Sequence, residues 1–501
     1  MFKIEKKLNP FKKLAGETVI YGMSSIVGRF LNWWLMPLYV SLFAPEEYGI
    51  VTNLYSYVAF FMVFLTYGME TGFFRFASKS TERDKVYSTS LISLFTSSAL
   101  FLIIVVFFKS TLAGLINYPN HPEYILWLGI ILAIDAFTAI PFAKLRLNNR
   151  PLKFAFIKLV NIGFNIAFNL FFLLLCPKLT DNNPHSILNF VYSPTIGIGY
   201  VFISNMLASA ITMVMLLPEI FKIRFHFELR LLYKILSYSF PILIVGLAGI
   251  TNQHIDKILI PFLIPESGHP MEQLGIYGAV VRIAVLMNMF IQAFRYAFEP
   301  FFFSHTEGKD DKQIHANIMK YFVIFGLLIF LVMILYIDVI KIIIPASYYE
   351  GLSVVPVILL ANLFFGIYFA LSLWYKLTDM TRYGAYIAIF GSVITITLNV
   401  ILIPLYGYKG SAITLLICFF TMMLISYFFG KKYYPIPYNI KRIGFYFLVA
   451  GTVFLLSKTT YALTTSVKLL LHTIYIFLFL FSVYMLENRN LIGLFKTNKK
   501  K

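Results

Sequence analysis

A few ionisable residues interrupt long apolar runs, and these are the groups best placed to do chemistry: Arg29, Lys158, Lys257, Arg282, Arg295 and Lys341, with Asp135 and Asp256. A charge in such a run is costly unless it faces a cavity or a partner. Arg29 shares a helical face with Gly22, Ser25, Asn32 and Met36, a small and polar stripe suited to a cavity wall; the other reading is an arginine satisfied by neighbouring carbonyls. Lys158 heads a stripe with Asn161, Asn165 and Asn169, which reads either as a polar wall or as glue between helices. If the chain folds back as a helical hairpin about Asn148, Asp135 falls opposite roughly residue 162, about one turn from Lys158. A lysine can reach that far, and the resulting pair serves a site or simply the structure.

Further along, Asn288, Gln292, Arg295 and Glu299 follow 4-3-4 spacing and share one face, with Arg295 and Glu299 also suited to pair at i, i+4. Arg282 lies about 110° from that face on a regular helix, deeper and with no local partner in sequence. Asn252 and Asp256 are one turn apart, beside Gln253, His254 and Lys257, between Pro241 and Pro261. An aspartate with an amide at i−4 on a proline-interrupted helix suits Na⁺ or a proton. A structural Asp256–Lys257 anchor is the competing reading. Glu70 and Arg75 sit where long side chains snorkel to the interface. The histidines are isolated, and Cys176 and Cys418 both lie in apolar runs, so neither a metal site nor a disulfide framework is expected. No phosphate-cradling Gly-rich loop and no nucleophile constellation is present in the sequence; no cofactor is expected beyond a coupling Na⁺ or H⁺.

The elements that must position these groups follow from composition. The chain has 501 residues, 59% hydrophobic and only 13% charged, with mean hydropathy +0.78. An ordinary soluble domain carries about 25% charged residues, so this excess excludes a soluble fold. A helical span needs about 20 mostly apolar residues. Such runs lie near 15–43, 48–70, 86–108, 123–143, 152–176, 195–217, 234–263, 274–303, 318–344, 352–375, 383–403, 409–429, 441–457 and 468–486. The expected fold is therefore an all-α polytopic membrane protein of about fourteen transmembrane helices. Lys3, Lys6, Lys7, Lys12 and Lys13 resemble the start of a signal peptide, but the apolar run that follows is too long, so it reads as the first span.

Basic residues set the expected orientation, because cytoplasmic loops hold excess Lys and Arg. With the N-terminus inside, 31 of the 42 Lys and Arg fall on inside segments, five outside and six within spans. The alternation holds at every loop and places both termini in the cytoplasm. It also accounts for the net charge of +19. The basic residues are scattered over short loops and form no single face, which argues against nucleic acid as a partner.

The chain also echoes itself after six helices. Pro37 to Gly49 and Pro261 to Gly275 each place a proline late in a span, a short acidic turn, and a glycine opening the next helix. Asn165 through Pro194, Gly197 and Gly199 echo Asn399 through Pro404, Gly407 and Gly410. Proline and glycine recur at helix ends in any case. Taken together, the echoes suggest two parallel six-helix halves, 1–217 and 218–429, followed by two extra helices and a basic tail, 430–501. Transporters commonly place a substrate path between such halves.

Several of these stretches carry a family resemblance. Pro37 to Gly49, the Gly68-Met-Glu-Thr-Gly72-Phe-Phe-Arg75 segment, Asp256-Lys257, Gly275-Ile-Tyr-Gly278 and Ile403 to Ala412 resemble the bacterial polysaccharide-export flippases of the multidrug/oligosaccharidyl-lipid/polysaccharide (MOP) superfamily. The resemblance covers essentially the whole chain. It implies a multi-pass protein of the bacterial inner membrane that moves an undecaprenyl-diphosphate-linked oligosaccharide to the outer leaflet for O-antigen or capsule synthesis. Implied partners are that lipid-linked oligosaccharide, membrane lipids, and the polymerase and chain-length components of the same pathway.

On this reading Arg29, Arg282, Lys158 and Arg295 bind the substrate diphosphate, arginine bidentately, while Asp256, Asn252 and Asp135 serve ion coupling. A transporter and not an enzyme is expected. Two other readings stand beside it. A cation-coupled drug or small-molecule antiporter of the same superfamily would favour acidic over basic groups at membrane depth. A membrane polysaccharide polymerase would need a catalytic outer loop, yet the longest, near 177–194, offers only Lys178, Asp181 and His185.

Overall fold

The computed structural model describes residues 27–28, 30–181, 187–222, 225–304, 309–460 and 463–497, with the side chains of 181, 187, 297–304, 309–311 and 489–497 left out of account. Among the described residues every regular element is helical. Among the same residues twelve helices are long and apolar enough to cross a membrane, or thirteen if the bent pair Pro270–Ile283 and Val285–Tyr296 is one span. These correspond one for one to the expected spans from 48–70 onward. Of the expected first span, near 15–43, residues 27–28 and 30–43 are described and the rest are not, and both chain ends also lie outside the described residues. The protein is thus a multi-pass, all-helical membrane protein by helix length and composition.

Contacts divide the chain into two units, Met1–Gly275 and Ile276–Lys501. The first contains α1 (Leu35–Leu42), α2 (Pro45–Thr66), α3 (Met69–Lys79), α4 (Arg83–Leu115), α5 (Pro122–Leu147), α6 (Pro151–Leu170), α7 (Gly199–Phe221) and α8 (Leu229–Leu263). Proline opens α2, α5 and α6, where its missing N–H is one the helix would leave unpaired anyway. Glu47 also accepts a hydrogen bond from the Ala44 N–H, closing the start of α2. α5 is the central element, packed on α2, α4 and α7, and α6 lies against α7. The outer flank of α4 shows Leu100, Ile103, Val106, Phe107 and Phe108 uncovered, as a lipid-facing helix should. α6 runs into a five-residue π-helical stretch, Phe171–Leu175, before a final turn at Cys176–Asp181.

Apolar burial gives little drive to helix association inside lipid, so small residues and interhelical hydrogen bonds carry it. Asn161 donates to Thr212 Oγ1 at 2.8 Å, joining α6 to α7. The Tyr39 hydroxyl donates to Asn169 Oδ1 at 2.9 Å, joining α1 to α6. Two of the three asparagines in the Lys158 stripe are therefore interhelical ties. The sharpest approach is between Gly49 and Gly275. A Cβ on Gly275 would stand 1.7 Å from the Pro45 carbonyl oxygen, and one on Gly49 would stand 2.0 Å from that of Met271. These are the glycines that close the first sequence echo, and the two echoing segments meet at this point. The second echo is conformational. Gly197 (φ 49, ψ −120) and Gly407 (φ 59, ψ −143) adopt the same left-handed turn just before a helix begins, a conformation that favours glycine.

The second unit contains α9 (Pro270–Ile283, whose first six residues belong to unit one), α10 (Val285–Ser304), α11 (Lys309–Leu335), α12 (Val355–Leu371), α13 (Arg382–Tyr406), α14 (Tyr408–Tyr433), α15 (Ile440–Thr459) and α16 (Thr465–Thr497). α11 and α12 are the most covered, and α14 packs along both α12 and α13. The final two helices are fastened to α11 partway along it and just past its last residue. Within α11, Lys320 pairs with Glu487 of α16 at 2.5 Å, and Glu487 accepts from the Tyr446 hydroxyl of α15 at 2.7 Å. Past Leu335, Asp338 pairs with Lys341 at 2.8 Å and with Lys468 of α16 at 2.5 Å. Nearby, His472 bonds the Leu335 carbonyl through Nδ1 and Thr460 through Nε2. Cys176 and Cys418 are both free and buried.

Candidate functional site

A polar cavity of about 320 Å³ opens within the first unit. Asp135, Thr138 and Arg146 line it from α5, Lys158 and Asn161 from α6, Asn205, Ser209 and Thr212 from α7, and Glu70 from α3. Asp135 lies midway along α5, and Lys158 lies two turns into α6, so the hairpin about Asn148 brings the two to one wall as its register requires. Ser209 stands beside the Asp135 carboxyl. The Lys158 ammonium lies 4.1 Å over the Phe142 ring, a cation–π contact that holds it without using its N–H donors. Arg146 is ion-paired with Glu70 and also stacks over Phe74, 4.7 Å from the ring centroid.

Below the cavity, the end of α7 carries a buried carboxylate. Glu219, its side chain 3% exposed, accepts from Lys153 at 2.6 Å and faces Arg150 at 3.5 Å. Its carbonyl accepts from Lys144 at 3.2 Å and from the Tyr87 hydroxyl at 3.1 Å. The segments expected on the cytoplasmic side of this unit (75–85, 144–153 and 222–234) gather at one end of it, with Lys144 over the Tyr87 ring and Arg75, Lys85 and Lys234 around one cleft.

The other expected site residues fall as follows. Arg29 lies outside the described residues; Gly28, its neighbour in sequence, packs against Ile162 of α6. Asn252 and Asp256 are both buried on α8. Both Asp256 oxygens are held by the Lys257 ammonium, at 2.9 and 3.0 Å, and Lys257 also donates to the Gln253 carbonyl. The Lys257 carbonyl accepts from Asn53 at 2.7 Å, and the Asn53 side-chain oxygen accepts from the Tyr118 hydroxyl at 3.0 Å. Arg282 and Arg295 belong to the second unit. Arg282 is exposed in the last turn of α9. The Arg295 guanidinium lies 3.8 Å over the Phe369 ring, and the Glu299 side chain is outside the described set. α9 and α10 meet at a 44° bend beside Ala284, so the 110° offset expected on a straight helix does not apply there.

Arg146, Glu70 and Glu219 were not expected to belong to a site. Arg146 and Glu70 stand 76 residues apart, and no local pattern couples them. The polar stripe Asn205, Ser209 and Thr212 on α7 was legible, since its 4-3 spacing marks one helical face. Among the described residues no group of three His, Cys, Asp or Glu side chains could hold a metal ion.

Chemically, the cavity offers two cations with several N–H donors, two carboxylates, and the hydroxyls and amides of Thr138, Asn161, Asn205, Ser209 and Thr212. Such a lining suits a polar, hydrogen-bonding head group. Its volume sits at the lower end of the roughly 300–1,000 Å³ typical of ligand pockets.

The fold is that of the MOP transporters. A structure described as lipid II flippase MurJ, inward closed conformation, aligns with TM-score 0.72 at 15% identity, covering 95% of this chain and 100% of that one. An inward-facing MATE multidrug transporter of the MOP superfamily aligns with TM-score 0.59 at 14% identity, covering 83% and 94%. The MATE multidrug transporter DinF-BH aligns with TM-score 0.59 at 14% identity, covering 86% and 98%. At these identities the likeness concerns the fold alone. The family model described as polysaccharide biosynthesis protein matches residues 14–306, more than half the chain, and the chain belongs to that family. No curated protein sequence matches it.

Proposed function

We propose that this protein is a flippase that carries an undecaprenyl-diphosphate-linked oligosaccharide across the bacterial inner membrane by alternating access, supplying O-antigen or capsule synthesis. The observation that carries the reading is the Lys158 and Arg146 pair in a polar cavity of the first unit, in a chain of the polysaccharide biosynthesis family. A diphosphate cannot enter hydrocarbon, whereas cations on a low-dielectric wall attract it strongly.

Arg146 is held by Glu70, so Lys158 is the cation freer to meet a phosphate. Arg29, Arg282 and Arg295 are proposed as further cationic contacts for the substrate. A cavity of about 320 Å³ accommodates a phosphate–sugar portion and must widen for a whole oligosaccharide. Asp135, which faces the cavity, is the candidate for a coupling proton; Asp256 and Asn252 take that role only if an ion displaces the Lys257 ammonium.

A second reading, a cation antiporter, draws on Asp135 and Glu70 in the same lining. Deleting the gene discriminates the two. A flippase leaves a lipid-linked glycan accumulating in the inner leaflet and the surface polysaccharide lost. An antiporter leaves both unchanged and alters resistance to organic cations.

A further inference from the structure

A second cleft, of about 450 Å³, opens at the basic end of the first unit, between the end of α3, the start of α4 and the start of α8. Its wall carries four cations, Arg75, Lys79, Lys85 and Lys234, against two carboxylates, Glu82 and Glu228. Glu82 is taken up by Lys85 at 2.6 Å, and Arg75 stacks over Tyr238 at 4.3 Å. Among the described residues no carboxylate forms an ion pair with Lys79 or Lys234, so the cleft keeps a positive excess.

The stretch leading into α8 is pinned over this cleft, because the His226 N–H donates to Ser88 Oγ at 2.7 Å and the Glu228 N–H donates to Thr89 Oγ1 at 3.3 Å. Next to it lies a mainly apolar trough of about 540 Å³, formed by Leu229, Leu232, Tyr233 and Leu236 with Arg230 at its edge, that shares Lys234 with the cleft. Leu229 is 70% exposed and Tyr233 73%, with Phe225 and Phe227 also uncovered.

We propose that this paired cleft and trough bind one anionic glycerophospholipid of the adjoining leaflet, its phosphate among Arg75, Lys79, Lys85 and Lys234 and an acyl chain along Leu229, Tyr233 and Leu236. Basic pockets between transmembrane helices on the cytoplasmic side suit such head groups. The trough distinguishes a lipid from free phosphate, since a soluble anion has no use for an uncovered apolar strip beside its charges. The site is separate from the Lys158 cavity and shares no lining residue with it.

The test uses the purified full-length protein in neutral detergent, titrated with phosphatidylglycerol, phosphatidylcholine or glycerol 1-phosphate and read by native mass spectrometry. Phosphatidylglycerol should bind at least tenfold tighter than phosphatidylcholine, and glycerol 1-phosphate should not displace it. Lys79→Gln with Lys234→Gln should weaken phosphatidylglycerol roughly thirtyfold, at the usual worth of two basic residues near a membrane surface. Leu229→Ser with Tyr233→Ser should weaken it with the charges intact. The control pair Lys109→Gln with Lys178→Gln, which makes the same charge change elsewhere, should leave binding unchanged. Thermal unfolding in neutral detergent shows that each variant is folded before it is titrated.

Four outcomes would overturn the proposal: equal affinity for the two lipids, indifference to the Lys79 and Lys234 changes, an equal loss in the control pair, or full displacement by glycerol 1-phosphate. Displacement of phosphatidylglycerol by equimolar undecaprenyl diphosphate would also overturn it, assigning the cleft to substrate entry.

Discussion

Replacing Lys257 with Met should destabilise the protein more than almost any other single change, and the reason is local. Asp256 and Lys257 have side chains only 6% and 9% exposed, and both aspartate oxygens rest on one ammonium. Removing one partner of a buried pair leaves an uncompensated charge and costs about 3–5 kcal/mol. The double change Asp256→Asn with Lys257→Met removes both charges and should recover most of that loss, because a buried pair replaced as a unit is often nearly neutral. The assay is thermal unfolding of detergent-solubilised protein, followed by gel filtration of a fluorescent fusion. A Lys257→Met variant as stable as wild type, or a double variant no better than the single, would refute the anchoring argument. Asp256→Asn adds a separate readout. If it unfolds like wild type yet loses a Na⁺ or H⁺ dependence of transport, Asp256 serves coupling and its pairing with Lys257 is a resting arrangement.

Three further outcomes follow from other contacts. Glu219→Gln should cost roughly 1.5–3 kcal/mol, because it strips Lys153 and Arg150 of a carboxylate buried to 3%; thermal unfolding checks it, and no change would mean those cations already rest on solvent. Gly275→Ala puts a methyl 1.7 Å from the Pro45 carbonyl oxygen, an overpacking worth about 1–3 kcal/mol, whereas Ala at Gly163, where a Cβ meets nothing within 4 Å, should be tolerated; equal melting temperatures for the two would contradict the crossing. At Asp338 burial pushes the carboxyl up, but the hydrogen bonds and charges of Lys341 and Lys468 outweigh it and hold it below its ordinary value. A depressed carboxylate stabilises the fold above the ordinary range and ceases to as pH falls through its folded value, so the stability gap between wild type and Asp338→Asn should be constant near neutrality and close below about pH 4. A gap that widens on acidification would reverse the sign.

Much of the architecture is written in run length. Thirteen apolar stretches of spanning length correspond to helices because backbone groups in hydrocarbon must bond within their own segment. The Asp135–Lys158 juxtaposition was also legible, since a short helical hairpin fixes register by counting residues from its turn. What stayed hidden depends on which distant helices touch. Glu219 sits at the end of a span beside Pro218 and looks interfacial in sequence, yet its partners arrive from 66 to 132 residues away. Glu487 likewise becomes the tie between α16, α15 and α11 only through residues more than 40 positions distant. The Lys158 stripe on α6, which reads in sequence either as a polar wall or as glue, serves as both: Asn161 and Asn169 tie helices, while Lys158 and Asn161 also line the cavity. Helical periodicity identifies a polar face and leaves open whether water or a neighbouring helix lies against it.

Whether Lys158 meets a diphosphate is tested most directly by reconstituted transport. Proteoliposomes carrying purified protein and an undecaprenyl-diphosphate-linked oligosaccharide would be assayed for the rate at which the glycan becomes accessible on the far side. Losing one charge-assisted contact is worth about 1.5–3 kcal/mol, so Lys158→Gln should slow flipping roughly tenfold to a hundredfold while the protein unfolds at nearly the wild-type temperature. Lys158→Arg should retain most of the rate. Wild-type flipping by Lys158→Gln in folded protein would contradict the claim that this cavity carries the head group.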